Sequence, residues 1–136
     1  MNPTDDELKK ILTTAKTIAM VGASENPEKP SHRIFKDMLA AGYHMIPVNP
    51  RETSVLGVKA VASLAEIKEP VDIVDVFRRS EDTPPIADEA AQIGAKVLWL
   101  QAGISNDETA ARARAHGMTI VMDKCIGVAH RTLMKS

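Results

Sequence analysis

Residues 17–42, TIAMVGASENPEKPSHRIFKDMLAAG, change their hydrophobic period once, and that change organises the reading of the chain. Thr17 to Ala23 is a nearly continuous apolar run of small and branched residues, bounded by Lys16 and by the turn-rich SENPEKP, which is the pattern of a buried strand followed by a loop. From Ser31 the period becomes helical: Ile34, Phe35, Met38 and Leu39 share one face, and Gly42 stands where a helix ends. A strand that is apolar on both faces needs cover on both, so this strand, loop and helix predict one unit of a parallel sheet between helical layers.

The rest of the chain repeats the unit. Ahead of it, Thr4 and Glu7 have capping-box spacing, and Leu8, Ile11, Leu12 and Ala15 recur at helical intervals. This short helix is expected to cover one edge of the sheet. Beyond Gly42, His44 to Val48 reads as a second strand ending at Asn49 and Pro50. A connection through Leu56 and Gly57 follows, with a helical turn around Ser63 to Ile67, and Val71 to Phe77 reads as a third strand. Ser80 or Thr83 is expected to cap a helix that tolerates Pro84 and Pro85 in its first turn and runs to Gly94. Lys96 to Gln101 is strand-like, Ser105 with Glu108 repeats the capping-box spacing for a helix reaching Gly117, and Met118 to Met122 is the last strand. Cys125 to Met134 reads as a closing helix. The alternation predicts an α/β fold, a Rossmann-like three-layer α/β/α domain with a parallel sheet of about five strands. One such domain is expected over residues 1–136.

Composition narrows the functional classes. With 17 basic and 18 acidic residues the formal net charge is -1, which provides no electrostatic footprint for nucleic acid or an anionic membrane. Aromatic residues make up only 3 %, too few for a base-stacking platform. No apolar run approaches the roughly 20 residues needed to span a bilayer. The N-terminus carries Asp5, Asp6 and Glu7 where a secretory signal would be basic and then apolar, and the single Cys125 has no partner for an internal bridge. A cytoplasmic location is the expectation, and any anionic ligand has to be held locally.

In an open parallel sheet the ligand lies at the carboxyl ends of the strands, near the point where strand order reverses. Four stretches qualify: Gly22, Ala23 and Ser24 with the loop to Ser31; Asn49, Pro50 and Arg51; Phe77, Arg78 and Arg79; and Gln101, Ala102 and Gly103. The first joins a strand to a helix N-terminus, whose free amides and positive dipole suit a phosphate. There Gly22 permits close backbone approach, and Ser24 and Ser31 supply hydroxyls. The competing reading has Gly22 relieving crowding and the serines only capping the chain. Lys29 is either a phosphate contact or a solvated loop lysine, and Arg51 divides in the same way. Arg78 and Arg79 read as a guanidinium pair for a pyrophosphate or ribose phosphate, or as a surface pair balancing Glu81 and Asp82. Phe77 offers a face to an adenine ring.

A dinucleotide enzyme would show GxGxxG here and an acidic residue about 20 residues on. The loop instead reads GASENPEKPS, and the second strand ends in Asn49. Cys125 and His130 lack a nucleophile-and-base spacing and read as structural. His32, His44 and His116 are too scattered to form a metal site, and Asp72 and Asp75 fall on opposite faces of their strand. Neither a catalytic nor a metal centre is expected.

With these residues laid out, the chain resembles the small stand-alone CoA-binding domain proteins of bacteria, whose Rossmann-like domain also occurs in the alpha subunit of succinyl-CoA synthetase. The stretches VGASENPEKPSHRI, GYHMIPVNP, LGVKAVASLAEI, VDIVDVFRRSED, AKVLWLQAGI and VMDKC carry the resemblance nearly end to end. It implies that Gly22, Ala23, Ser24 and Ser31 face the phosphates of coenzyme A or an acyl-CoA, that Asn49 and Pro50 run along the nucleotide, and that Phe77 and Arg78 flank its adenosine end. At the C-terminus the chain departs from the family: CIGVAH stands where a charged residue and a glutamate are expected before the histidine, so a carboxylate-assisted role does not carry over to His130. In the synthetases the phosphorylated histidine lies in another domain, so no ligase or transferase activity follows.

The leading expectation is thus a CoA-binding module without catalysis of its own. The alternative is a nucleotide-dependent enzyme, either an NAD(P)-linked oxidoreductase or an acyl-CoA transferase or ligase component acting with a partner subunit. A third reading has Cys125 forming a mixed disulfide with CoA. An exposed edge-strand face and the Met-rich C-terminus raise the expectation of a homodimer.

Overall fold

The computed structural model describes residues 2–134. Helix α1 (Asp5–Thr14) precedes β1 (Thr17–Val21), α2 (Pro30–Ala40) and β2 (His44–Val48). A small hairpin follows, β3 (Ser54–Val55) and β4 (Val58–Lys59), and then β5 (Ile73–Val76), α3 (Pro84–Gln92), β6 (Val97–Leu100), α4 (Asp107–Ala115), β7 (Thr119–Val121) and α5 (Ile126–Leu133). The main sheet is parallel throughout, in the order β2-β1-β5-β6-β7.

Alternation along the strands explains the layers. Ala19, Val21, Val74, Val76, Leu98 and Leu100 point to one face, covered by α3, α4 and the 3₁₀ turn Leu64–Glu66. Ile18, Met20, Ile73, Val97 and Trp99 point to the other, covered by α1, α2 and α5. Both faces are dry, so the strands read as apolar runs and the α/β/α expectation holds. Trp99, the largest fully buried side chain, also donates its indole N–H to the Lys124 carbonyl at 2.8 Å, which fastens the start of α5.

The first helix differs from expectation. Leu8 and Leu12 are buried in the core of the second face, so α1 lies on the sheet beside α5 and covers no edge. The outer edge is met by Asn2 instead: its side-chain amide donates to the Met122 carbonyl at 2.7 Å and accepts from the Met122 N–H at 2.8 Å, in the manner of a neighbouring strand. At the opposite edge Val61 bonds to β2 through Pro47 and Asn49.

Other corrections are local. The Ser105 cap is displaced by one residue, because Asn106 accepts the Thr109 N–H at 3.0 Å and starts α4. Ser80–Asp82 forms a 3₁₀ turn, and Thr83 stands at the N-cap of α3 as one of the two expected residues, but its side chain makes no cap hydrogen bond. Its hydroxyl bonds to the Ser80 carbonyl and to Thr109, at 2.8 and 2.6 Å, in the buried seam between α3 and α4. Leu56 and Gly57, read as a plain connection, are the two-residue turn of the β3–β4 hairpin, with φ of 49° and 80°.

Asp75 is the exception to the apolar rule. On the central strand, between Met20 and Trp99, it is fully buried with neither carboxyl oxygen hydrogen-bonded among the described residues. Burial raises its pKa well above the ordinary value of 3.8. Asp72 shows the opposite balance: burial pulls it upward, but the Lys16 and Thr17 amides and the Lys96 ammonium outweigh this and hold it below its usual value.

Because the folded chain keeps a proton on Asp75 that the unfolded chain releases, its contribution to stability is full below pH 3.8 and declines as pH rises toward the folded value. The decline reaches at most about 1.4 kcal/mol per pH unit. Urea denaturation of Asp75→Asn from pH 5 to 8 is expected to show a flatter dependence than the wild type, and an unchanged slope would refute this account. Gly22 has φ of 89°, and a Cβ there would overlap the Phe77 carbonyl, whereas Gly94, with φ of 76°, has open space. Gly22→Ala is therefore expected to cost roughly 2–4 kcal/mol and Gly94→Ala only about 1 kcal/mol, measured by the same denaturation.

Candidate functional site

The chain leaves β1 through α2 on one face to reach β2, then returns on the other face to β5. Strand order therefore reverses between β1 and β5, and the crevice above their carboxyl ends is the topological switch point. Three loops close around it, those following β1, β2 and β5. They enclose a cleft of about 830 Å³.

At its floor Gly22 donates to the Val48 carbonyl at 2.9 Å, and the Phe77 N–H donates to the Val21 carbonyl at 2.8 Å. The position a Cβ would take on Gly22 lies 2.9 Å from Arg78 Nη1, so the glycine leaves room for the guanidinium. The loop after β1 is ordered by its own side chains. Ser24 Oγ accepts the Asn26 N–H at 3.1 Å, Asn26 Oδ1 accepts the Glu28 N–H at 2.9 Å, and His32 Nδ1 donates to the Ser24 carbonyl at 2.9 Å. Asn49 ties the second loop to the first: its Nδ2 donates to the Ala23 carbonyl at 2.9 Å while Oδ1 accepts the Arg51 N–H at 2.9 Å.

Gly22, Ser24, Lys29, Ser31, Asn49, Pro50, Phe77 and Arg78 all line this cleft, with Arg51 and Arg79 beside them. Ala23 does not, because its side chain is fully buried in the core beneath α2 and only its carbonyl takes part, through Asn49. The fourth nominated stretch is engaged elsewhere. Gln101 is buried and its Oε1 accepts the Ile126 N–H at 2.9 Å at the start of α5, and Gly103 donates to Asp123 at 2.6 Å, so only Ile104 from this loop reaches the cleft.

The cationic side chains have different surroundings. Arg79 pairs with Asp82 at 3.2 Å across the exposed 3₁₀ turn, which is the surface-pair alternative. Lys29, Arg51 and Arg78 have no carboxylate in ion-pair contact among the described residues. Three positive charges thus face the cleft, an arrangement that attracts an anion such as phosphate. A smaller hollow of about 290 Å³ adjoins it through Arg78 and Asp82, with Val21, Val48, Leu64 and Ile86 as its apolar base.

Sequence reading missed His32 and Glu52. His32 was set aside as a scattered histidine, yet it is buried and holds the loop at Ser24. The signal was its position one residue into the helix from Ser31. Glu52 lines the cleft and accepts the Glu25 N–H at 2.8 Å, a contact between loops that no spacing announces. Cys125 and His130 lie away from the cleft: Cys125 begins α5, and the His130 ring meets Tyr43 edge-on at 5.6 Å. Among the described residues no group of three His, Cys, Asp or Glu side chains is arranged to hold a metal, and no helix is long and apolar enough to cross a membrane.

Comparison with known proteins fits this geometry. The chain is 50 % identical over 129 residues to the uncharacterized protein YneT of Bacillus subtilis (strain 168), covering 95 % of this chain and 96 % of that one. It is 31 % identical over 122 residues to the alpha subunit of ADP-forming acetate–CoA ligase II of Pyrococcus furiosus, covering 82 % of this chain but 27 % of the subunit. Among solved structures, a hypothetical protein from Pyrococcus horikoshii OT3 superposes with a TM-score of 0.95 at 36 % identity, covering 98 % of this chain and 94 % of that one. The sequence pattern of the CoA binding domain matches residues 16–131, from the residue before β1 into α5, and the chain belongs to that family.

Proposed function

We propose that the chain binds coenzyme A or an acyl-CoA in the cleft between β1 and β5, as a module with no catalytic centre of its own. The observation that carries this is the convergence of the Gly22 loop with Arg78, flanked by Lys29 and Arg51, which have no carboxylate ion-pair partner among the described residues. The ligand's diphosphate would lie against the loop amides and the guanidinium. The adjoining hollow, lined by Val21, Leu64 and Ile86 together with Ser63, Arg78 and Glu89, would take the ligand's planar base. Phe77, half-buried at the boundary, would flank the adenosine end.

Asn49 argues against a nicotinamide enzyme. At the end of β2, where a carboxylate would hold ribose hydroxyls, an amide is committed to the Ala23 carbonyl and the Arg51 N–H. The likeness to the acetate–CoA ligase subunit favours a second reading, in which the module acts with a partner subunit that supplies the chemistry. On either reading we take residues 1–136 as one cytoplasmic domain, and light scattering in solution tests the homodimer.

Isothermal titration with CoA, dephospho-CoA and NAD is expected to give saturable CoA binding and a weaker NAD response. A flat CoA trace beside a saturating NAD trace would overturn the proposal. Reversing the charge with Arg78→Glu is expected to weaken CoA binding by about 1.5–3 kcal/mol, the range for a lost charge-assisted contact. An unchanged affinity would return Arg78 to a purely surface role.

A further inference from the structure

One contact in the cleft is made by a group of the wrong sign for an anion site. Glu52, from the segment after β2, lines the cleft and accepts the backbone N–H of Glu25, in the loop after β1, at 2.8 Å. A carboxylate resembles a phosphate in charge and in accepting N–H donors, and here it occupies the donor next to Ser24, in the loop whose Ser24 and Lys29 line the cleft.

The loop has other means of keeping its shape. The bonds of Asn26 to Ser24, Glu28 to Asn26 and His32 to Ser24 lie within residues 24–32, and the Lys29 N–H adds a bond to the Asn26 carbonyl at 3.1 Å. Glu52 therefore ties one loop to another. Glu25 continues the connection, since its Oε1 accepts the Leu56 N–H at 3.3 Å, at the hairpin turn where Leu56 has φ of 49°. Two carboxylates thus link the β1 loop, the β2 loop and the hairpin, beside the cations Lys29, Arg51 and Arg78.

We propose that Glu52 is an internal competitor of the ligand's phosphates for the Glu25 N–H. A phosphate that takes this donor displaces the carboxylate, so Glu52 sets an affinity threshold that disfavours weakly charged anions and admits a diphosphate. Displacement also removes one of the two ties between these loops, leaving the Asn49 bond to the Ala23 carbonyl. The proposal rests on the reading of the β1 loop as phosphate-facing.

Inorganic pyrophosphate and CoA titrated separately into the wild type, Glu52→Gln and Glu52→Asp test it, with the Glu25 amide followed by ¹H–¹⁵N NMR. Glu52→Gln is expected to bind pyrophosphate roughly fivefold more tightly, in line with the loss of one charge-assisted competitor at a partly exposed site. Glu52→Asp keeps the charge but falls short of the amide, so it is expected to resemble Glu52→Gln. In the wild type the Glu25 amide resonance should move on adding pyrophosphate. Wild-type affinity in Glu52→Asp with a gain in Glu52→Gln would reduce the effect to net charge and overturn the proposal. Weaker binding by Glu52→Gln, no pyrophosphate binding to any chain, or a stationary Glu25 resonance would also overturn it. If pyrophosphate behaves as expected and CoA binds none of the chains, the competitor role stands and the CoA reading falls. If CoA binds all three chains equally, the CoA reading stands and the competitor role falls.

Discussion

The site depends on the crossing of the chain at Gly22 over the end of β5. No side chain fits between this residue and the Phe77 carbonyl, and the backbone there takes a positive φ that L side chains rarely adopt. That close approach brings the first loop down onto the β5 end and leaves the Arg78 guanidinium beside it. The cleft owes its floor to a missing methyl group. Had alanine stood at this position, its methyl group would push the loop away from the β5 end and from the arginine.

Around this point the sheet is rigid because both faces are packed. Phe35, Met38 and Trp99 on one side and Leu64, Leu98 and Leu100 on the other leave the strand ends little freedom, so loops at those ends hold their positions. The buried Asp75 is a cost within this core, on β5 two residues ahead of Phe77. The edges are closed by different means, Val61 alongside β2 and the Asn2 amide against β7, so the polar backbone at the Met122 end of β7 is satisfied by a side chain in place of a strand.

Much of this was legible in the residues. Apolar runs of five to seven residues alternating with helical periods predict β1, β2, β5, β6 and β7 with errors of one or two residues at their ends, because burial on both faces leaves a continuous apolar signal. Most of the nominated strand-end residues meet in one cleft, since the fold class itself states where a ligand lies. Local competition was harder to read. Asn106 takes the cap from Ser105 because both are good capping residues and only backbone geometry selects one. The β3–β4 hairpin escaped notice because Leu56 is a poor residue for a positive φ, held there by packing and by its bond to Glu25. Ala23 was nominated by its neighbours, but just past the end of β1 its side chain turns into the core on the face opposite to Val21.

By itself the sequence determined the layered α/β architecture, the parallel sheet and the loop that faces the cleft, because hydrophobic period and turn chemistry act over a few neighbouring residues. Tertiary structure alone decided that Gly22 is pressed against Phe77 with Arg78 beside it, and that Glu52 reaches an amide 27 residues away. Those are contacts between segments whose meeting depends on strand order and crossover hand, which no local pattern encodes.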